Sequence, residues 1–467
     1  MEMGGIAIRR QLSGWRRLTA AQLFVLSFAA LIAIGTLGLR LIPGLYVGER
    51  LTWLDALFTA TSAVCVTGLI VVDTATYFSF AGQAFLLALV QLGGLGMIAF
   101  TTVIILAMGK RLSLRTEATA ATQADVAPDL DVTRLGYDVV KFTFAIEAIG
   151  AVLLYLLWVE DLGWAGAAWP AIFHSVNAFC NAGFSTFTTS LMGEQRSETL
   201  LLVIAALTVA GGLGFLTLEE LSQWRKARAA QRRFRLSIHS RLALTTTLVL
   251  SVAAWGAFAT FEWRHTLAGL DVSEKVANAL LMSVTPRSGG FNSIDYGAAT
   301  QSTSFLTIIL MFIGGSPGST AGGIKVTTFA LIGLLALSRF RGQEIVNVWG
   351  RSIPEETIQR AVGLAVVSFS AITIGIFLFT WTESNAFPGG TPRTDFLSHM
   401  FEAASSFNTV GLSKNVTHRL SDPGRLLTIL LMFVGRVGPL TFAAALARKR
   451  HRQGTDYHYA YEDVVVG

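Results

Sequence analysis

Charged side chains are scarce in this chain of 467 residues, since only 14% are Asp, Glu, Lys or Arg, against about 25% in soluble domains. This scarcity excludes an ordinary water-soluble fold. The two cysteines are too few for a disulfide framework. The sequence also lacks the G-x-x-x-x-G-K-[ST] phosphate-binding motif and any convincing cluster of metal ligands or nucleophiles. We therefore expect neither an enzyme nor a nucleotide-binding site or organic cofactor on this chain.

Hydrophobic residues make up 52% of the chain and lie in runs long enough to cross a hydrocarbon core of about 30 Å. Eight runs predict membrane spans, at about residues 20–42, 80–108, 138–159, 198–221, 240–262, 302–338, 358–381 and 424–447. Four shorter apolar stretches end in glycine-containing turns, at 52–69, 168–184, 272–291 and 394–412. Non-helical backbone at membrane depth must be buried in protein or line a cavity, so these stretches predict re-entrant segments.

Lysine and arginine are unevenly distributed among the connections between the spans. They gather before the first span, and after the second, fourth, sixth and eighth, while acidic residues are prominent in the other connections. The positive-inside rule then places both termini in the cytoplasm and makes the four short stretches enter from outside. We interpret the net charge of +6 as a signal of topology and of contact with membrane lipids, not of nucleic-acid binding.

The four re-entrant stretches align on one glycine each. They read FTATSAVCVTGL, FHSVNAFCNAGF, LLMSVTPRSGGF and FEAASSFNTVGL, and the aligned glycines are Gly68, Gly183, Gly290 and Gly411. In the third stretch Gly289 is the alternative; Gly290 is chosen because Phe291 then falls on the position that is Leu or Phe in the other copies. The second span of each unit carries a further glycine motif: LGGLG at 92–96, AGGLG at 210–214, IGGSPG at 313–318 and VGRVG at 434–438.

These copies predict an all-α membrane protein of four repeats, each a span, a re-entrant pore helix and a second span, arranged with pseudo-fourfold symmetry around one pore. The predicted units are a cytoplasmic N-terminal segment at 1–19, repeats at 20–110, 111–225, 226–340 and 341–447, and a cytoplasmic tail at 448–467.

A turn centred on glycine can aim backbone carbonyls at a shared axis, because glycine permits positive φ and close backbone approach. Rings of carbonyls replace the hydration shell of a monovalent cation. None of the four residues before each aligned glycine is Asp or Glu, which argues against a filter for divalent cations. The predicted filter residues, with K⁺ at the aligned glycines, are Val66, Thr67, Gly68, Asn181, Ala182, Gly183, Ser288, Gly289, Gly290, Thr409, Val410 and Gly411.

Three polar side chains near these turns are given structural roles. We expect His174 and Glu402, on the pore helices, to make local hydrogen bonds behind the filter. Arg287 would repel cations if it faced the pore, so we expect it behind the filter or at its outer rim.

The sixth predicted span is interrupted by GGSPGSTAGG, which is too rich in Gly, Ser and Pro to continue a helix. We predict a loop that obstructs the path below the filter. Arg436 lies inside an apolar stretch, at the position that Gly94, Gly212 and Gly315 hold in the other repeats. An arginine at a helix centre costs roughly 2.5 to 3.5 kcal/mol, so we expect it to bond to the loop and to oppose cation passage. The predicted gate residues are Gly314, Gly315, Ser316, Pro317, Gly318, Ser319, Thr320, Ala321, Gly322, Gly323, Lys325 and Arg436.

Three segments, SAVCVTGLIVVDT (62–74), GGSPGSTAGGIKVTT (314–328) and VGRVGPLTF (434–442), resemble the Trk/Ktr/HKT superfamily of bacterial, fungal and plant potassium transporters. The serine-containing form of the second segment, the chain length and the final YEDVVVG are most similar to the KtrB type. The resemblance covers almost the whole chain after about residue 20.

The resemblance implies potassium uptake through one pore, with one filter glycine per repeat and an intramembrane gating loop from Gly314 through Lys325. It implies that uptake is commonly sodium-dependent, that the chain forms a homodimer in the bacterial plasma (inner) membrane, and that a cytoplasmic KtrA-type ring binds the regulatory nucleotide, ATP/ADP or NAD. The residues leave one alternative open, a secondary transporter for an anionic or amino-acid solute with Arg436 and Lys325 as substrate ligands. Four outside re-entrant segments favour the pore.

Overall fold

The computed structural model describes residues 19–116, 132–386, 396–439 and 441–442. Within these ranges the chain is helical apart from loops and one short hairpin, in which Asn347–Val348 pairs with Arg351–Ser352. The helices are α1 (Ala20–Leu41), α2 (Trp53–Val64), α3 (Thr74–Tyr77), α4 (Phe80–Thr116), α5 (Val132–Cys180), α6 (Glu198–Leu213), α7 (Phe215–Ala229), α8 (Ile238–Glu262), α9 (Val272–Val284), α10 (Gln301–Met311), α11 (Val326–Phe340), α12 (Glu355–Ala386), α13 (Phe396–Phe407) and α14 (Asp422–Val437).

Five described segments are long and apolar enough to cross a membrane: Ala21–Leu41, Phe80–Ile98, Tyr137–Cys180, Ile238–Glu262 and Glu355–Glu383. The pair α6 and α7, bent by 102°, counts as a sixth if it is one span. Helices α10 and α11 are shorter apolar helices, because the loop between them divides the predicted sixth span. Eight spans therefore stay a prediction.

The short helices do not reach across a bilayer, and two of them start at polar caps. Helix α2 begins after Thr52, whose side chain accepts a hydrogen bond from Asp55 N, and α9 begins with a capping box between Asp271 and Glu274. Helices α2 and α13 each have 12 residues, which is about 18 Å at 1.5 Å per residue. That length takes a helix little more than halfway through a bilayer, where its end meets the other elements.

Two predicted spans break at a glycine. Gly214 has φ +80° and separates α6 from α7, and Gly438 has φ +88° and ends α14. The spans predicted over 198–221 and 424–447 therefore each contain a break in the helix. Glycine permits the break because it adopts this left-handed backbone at no steric cost, whereas other L-residues rarely adopt it. A third left-handed glycine, Gly163, separates the two parts of α5, so the predicted third span and second re-entrant stretch follow each other within one element.

In three of the four second-span motifs, the first glycine packs against the end of a helix that leads into an aligned turn. A Cβ at Gly93 would overlap the carbonyl of Val64, the last residue of α2. Gly211 and Gly435 stand in the same relation to the carbonyls of Phe179 and Phe407, near the ends of α5 and α13. Only glycine lets these helices approach so closely. The second-span helices that carry Gly93, Gly211 and Gly435 therefore pack directly against the ends of the helices that lead into the aligned turns.

Candidate functional site

The four aligned turns meet at their glycines and form a closed ring. In each case a Cβ on the glycine would collide with, or closely contact, the backbone of the next turn. The contacts run from Gly68 to Ala182, from Gly183 to Gly290, from Gly290 to Val410 and from Gly411 to Thr67. Neighbours in the ring therefore follow the order of the chain, and the fourth turn closes on the first.

Each turn has two left-handed residues with one other residue between them. The pairs and their φ values are Val66 (+56°) and Gly68 (+88°), Asn181 (+59°) and Gly183 (+73°), Ser288 (+82°) and Gly290 (+74°), Thr409 (+49°) and Gly411 (+91°). Positive φ is uncommon for non-glycine residues and costs of order 1–3 kcal/mol at each site. The same strained conformation in four turns indicates that the surrounding structure imposes it.

Backbone amides of the aligned turns donate hydrogen bonds to the short helices that precede them. The carbonyl oxygens of the same turns lie against the neighbouring turns. Thr67 N donates to Ser62 O at 2.8 Å, and Val410 N donates to Ser405 O at 2.9 Å. The side chains of the same serines accept bonds from Gly68 N and Gly411 N, both at 3.1 Å. The carbonyl oxygens of Thr67 and Val410 lie against Gly411 and Gly290 of the adjacent turns.

Sequence reasoning did not single out these two serines. They occupy the same column of the aligned stretches, which holds Asn177 and Val284 in the other two copies. The presence of serine at this position in two of the four copies was the only sequence signal for their role.

The third turn contributes Gly290 to the ring. Gly290 contacts Gly183 and Val410, whereas Gly289 lies behind it against Thr208 and Thr285. Arg287 also points away from the ring: its Nη2 donates to Ser251 Oγ on α8 at 2.5 Å, and its side chain is buried. This base is therefore not a charge at the ring centre.

A cavity of about 340 Å³ opens on one side of the ring, and the residues that follow the four ring glycines line it. We call it the outer cavity. Among the described residues that line it, Asp73 is the one carboxylate and none is Lys or Arg. His418 also lines it, and its partial burial and the nearby Arg419 lower its pKa. This shift favours the neutral imidazole, and no Lys or Arg among the described lining residues repels a cation at the mouth.

The loop between α10 and α11 crosses on the opposite side of the ring. Ser316 N donates to Gly212 O at 2.8 Å, and Phe215 N donates to Gly318 O at 3.1 Å, which fastens the loop to the break between α6 and α7. At its other end, Gly322 N donates to Ser288 Oγ at 3.2 Å. A side chain on Gly322 would collide with Thr409. The loop thus lies directly beneath two of the turns.

Thr320 is a further anchor of the loop. Its hydroxyl bonds to the Asn181 side-chain amide at 2.8 Å and to Phe179 O at 3.2 Å. Its backbone amide donates to Gly211 O at 3.3 Å. The loop is therefore tied to the second repeat through both side chain and backbone.

Arg436 is fully buried beneath the ring and joins the loop to α4. Its Nη1 donates to the carbonyl of Thr320, and its Nη2 donates to Gly93 O at 3.3 Å. Gly94 lies close by, with Cys180 and Thr320 beside it. Lys325 donates from Nζ to Ala321 O at 2.7 Å. Two basic side chains thus reach the same loop from α14 and from the loop's own end.

Lys325 and Arg436 both line an inner cavity of about 260 Å³, and no Asp or Glu is among its described lining residues. The fully buried Arg436 and the half-buried Lys325, without a lining carboxylate, make this side of the ring electropositive. A cation that leaves the ring in this direction would meet both the loop and a repulsive field.

The sequence matches the family model of TrkH cation transport proteins over residues 18–458. The chain belongs to the TrkH family. It is 36% identical over 454 residues to the potassium/sodium uptake protein NtpJ of Enterococcus hirae, covering 97% of this chain and 98% of that protein. It is 37% identical over 438 residues to the Ktr system potassium uptake protein B of Bacillus subtilis, covering 93% and 94%.

The crystal structure of the potassium transporter TrkH from Vibrio parahaemolyticus has the same fold, with a TM-score of 0.73, at 18% sequence identity over 92% of this chain and 86% of that one. Membership of the TrkH family, together with at least five apolar helices of spanning length among the described residues, makes this a multi-pass membrane protein. Its relatives in the family are cation transporters rather than enzymes.

The alternative prediction, transport of an anionic or amino-acid solute, is not favoured. The family transports cations, and the two terminal guanidinium nitrogens of Arg436 are already bonded to backbone carbonyls.

Proposed function

We propose that this chain takes up potassium across the bacterial plasma membrane and that the ion passes through the ring of backbone carbonyls. The observation that carries the proposal is the closed ring of Gly68, Gly183, Gly290 and Gly411, with a left-handed residue two places before each glycine. Carbonyl rings suit monovalent cations because they replace water ligands without adding a fixed negative charge. The relatives named as potassium uptake proteins support the choice of ion.

In this proposal the filter consists of three residues from each turn, 66–68, 181–183, 288–290 and 409–411, in a pseudo-fourfold arrangement of four repeats with eight spans. Asp73 at the outer mouth attracts cations over short range, since a Debye length of about 8 Å limits its reach in physiological salt. The neutral ring then discriminates by coordination rather than by charge.

The gate in this proposal is the loop from Gly314 to Lys325 together with Arg436. The loop blocks the path below the ring, and the electropositive inner cavity adds an electrostatic barrier. Opening requires the loop to leave its bonds to Gly212, Ser288 and Arg436. Each neutral bond contributes only about 1 kcal/mol net, and the bond from the charged Arg436 about 1.5–3 kcal/mol. A conformational change in a partner that supplies several kcal/mol is therefore enough to move the loop.

We further propose that both termini are cytoplasmic, that the chain works as a homodimer, and that a cytoplasmic KtrA-type ring supplies the nucleotide-dependent control. The term "Ktr system" in the names of the relatives supports a partner subunit. Sodium dependence is part of the proposal because one relative is named for potassium and sodium uptake.

Uptake by cells and vesicles tests this function. We expect the chain, with its partner ring, to restore growth of potassium-uptake-deficient bacteria on limiting potassium. The purified chain in vesicles should then carry rubidium or potassium down a gradient. No rescue of growth, combined with no alkali-cation flux in vesicles of confirmed protein content, would contradict the proposal. Uptake of an amino acid or an organic anion instead would favour the alternative transporter.

A further inference from the structure

Two buried side chains on the short helices reach past the ring to its outer rim. His174 precedes Gly183 by the same separation as Glu402 precedes Gly411. His174 Nε2 lies 2.9 Å from Ser185 Oγ, and Glu402 Oε2 accepts a bond from Ser413 Oγ at 2.9 Å. Ser185 and Ser413 each stand two places beyond their ring glycine, so the two contacts are equivalent.

The contact of His174 has a defined direction. Its Nδ1 lies 2.8 Å from Pro170 O, and a carbonyl only accepts, so Nδ1 carries the proton. In the neutral ring Nε2 is then the acceptor, and the Ser185 hydroxyl donates to it. The imidazole is fully buried and lies between aromatic rings, with Trp158 at 5.1 Å and Phe187 at 5.0 Å between centroids. This packing fixes the imidazole and, through it, the hydroxyl at the rim.

The Glu402 carboxylate accepts hydrogen bonds from two residues of the rim, one on each of its oxygens. Its second oxygen, Oε1, accepts a bond from the hydroxyl of Thr417. Ser413 Oγ in turn accepts a bond from Val416 N at 3.2 Å. Ser413 and Thr417 both line the outer cavity. One fully buried carboxylate therefore holds the first and last residues of the segment that borders the ring on this side.

In the other two turns no described side chain at this helix position bonds to the rim, although Ser62 Oγ of the first turn donates to Leu69 O at 2.8 Å. The residue at the position of His174 is Thr59 in the first turn and Leu281 in the third. Thr59 Oγ1 is buried and has no hydrogen-bond partner in the described part of the chain. Because the ring follows chain order, the two tethered turns lie opposite each other across it.

We propose that His174 and Glu402 are positioning residues that set the width of the outer opening of the ring and thereby its discrimination between potassium and sodium. The inference rests on the proposed function of the ring as a filter. A binding constellation holds its selectivity only when supporting side chains fix its geometry to about 0.5 Å. Tethers in two opposite turns hold the distance across the ring between those turns. Tethers in two adjacent turns would leave that distance free to change.

The test is the potassium-to-sodium flux ratio of the full chain in vesicles. Ser185→Ala and Ser413→Ala remove the tethers at the rim and leave the buried helices untouched. Each change also removes a bond that the hydroxyl accepts from a backbone amide, Phe187 N for Ser185 and Val416 N for Ser413. We expect each to lower the ratio about fivefold or more. Glu402→Met should lower it similarly, and Glu402→Gln, which keeps one acceptor and one donor for the two hydroxyls, should restore it. Thr59→Val, at the equivalent but untethered position, should leave the ratio unchanged.

A double variant sharpens the test, since Glu402→Met already removes the bond to Ser413, and adding Ser413→Ala should lower the ratio no further than Glu402→Met alone. Unchanged ratios in both serine variants, at normal protein level and melting temperature, would overturn the proposal. So would a fall in Glu402→Gln as large as in Glu402→Met, because charge rather than the tether would then be responsible. A ratio that responds to Gly290→Ser but not to the tether variants refutes only the tethers. Insensitivity to all of them refutes the filter itself.

Discussion

Removing residues 317–321 from the intramembrane loop is expected to raise potassium flux in vesicles about tenfold or more. The deletion eliminates Thr320, which bonds to Asn181, Gly211 and Arg436, and takes away the backbone that lies beneath the ring. A tenfold rise corresponds to a barrier lowered by about 1.4 kcal/mol. That is a conservative figure for a loop that both obstructs the path and holds a positive charge beneath it.

Arg436→Ala separates the steric part of this barrier from the electrostatic part. It leaves the loop at full length, removes the buried guanidinium beneath the ring, and should raise flux by less than the deletion. Arg360→Gln is the matched control, because Arg360 is an exposed arginine that pairs with Glu356 on α12. Unchanged flux after the loop deletion would contradict the gate. Loss of folded protein in Arg436→Ala, with normal folding of the deletion, would assign Arg436 a structural role.

Gly290→Ser is expected to lower the potassium-to-sodium flux ratio about tenfold or more. A serine there must keep φ +74°, which costs an L-residue roughly 1–2 kcal/mol. Its Cβ would also lie 2.6 Å from Gly183 Cα and 2.8 Å from Val410 O. The third turn therefore has to move, and the carbonyls that replace the hydration shell of potassium lose their spacing.

The control for this variant is Gly269→Ser. Gly269 is exposed and has no left-handed φ, and a Cβ added to it would meet no atom within 4 Å, so the serine fits without strain. We expect its ratio to equal that of the unaltered chain. A Gly290→Ser protein that is folded and conducts with the original ratio would show that the third turn does not contribute to selectivity.

Much of the helical fold could be predicted from composition and run length, because apolar runs of spanning length have few alternatives to helices. The glycine alignment named the four residues whose backbones meet in the ring. The alignment identifies them because a residue with a left-handed backbone in close contact with another backbone has to be glycine in nearly every case. Their role in binding potassium stays a prediction.

Other features of the site leave little or no signal in the sequence. Val66, Asn181, Ser288 and Thr409 share a left-handed backbone but no side-chain type, since tertiary contacts impose their conformation. The breaks at Gly214 and Gly438 lie within motifs that also fit a continuous helix. One partner of Arg436 is the carbonyl of Gly93, and a backbone partner has no sequence signature. Closure of the ring is likewise a long-range property that no single turn encodes.

The central claim is that an alkali cation binds inside the ring of Gly68, Gly183, Gly290 and Gly411. The most direct measurement is anomalous diffraction from crystals of the full chain soaked in rubidium, which is close to potassium in size and scatters anomalously. We expect a peak on the axis of the ring, within coordination distance of carbonyls from all four turns, that disappears when excess potassium is added. A ring without rubidium, in crystals that bind it elsewhere, would contradict the account.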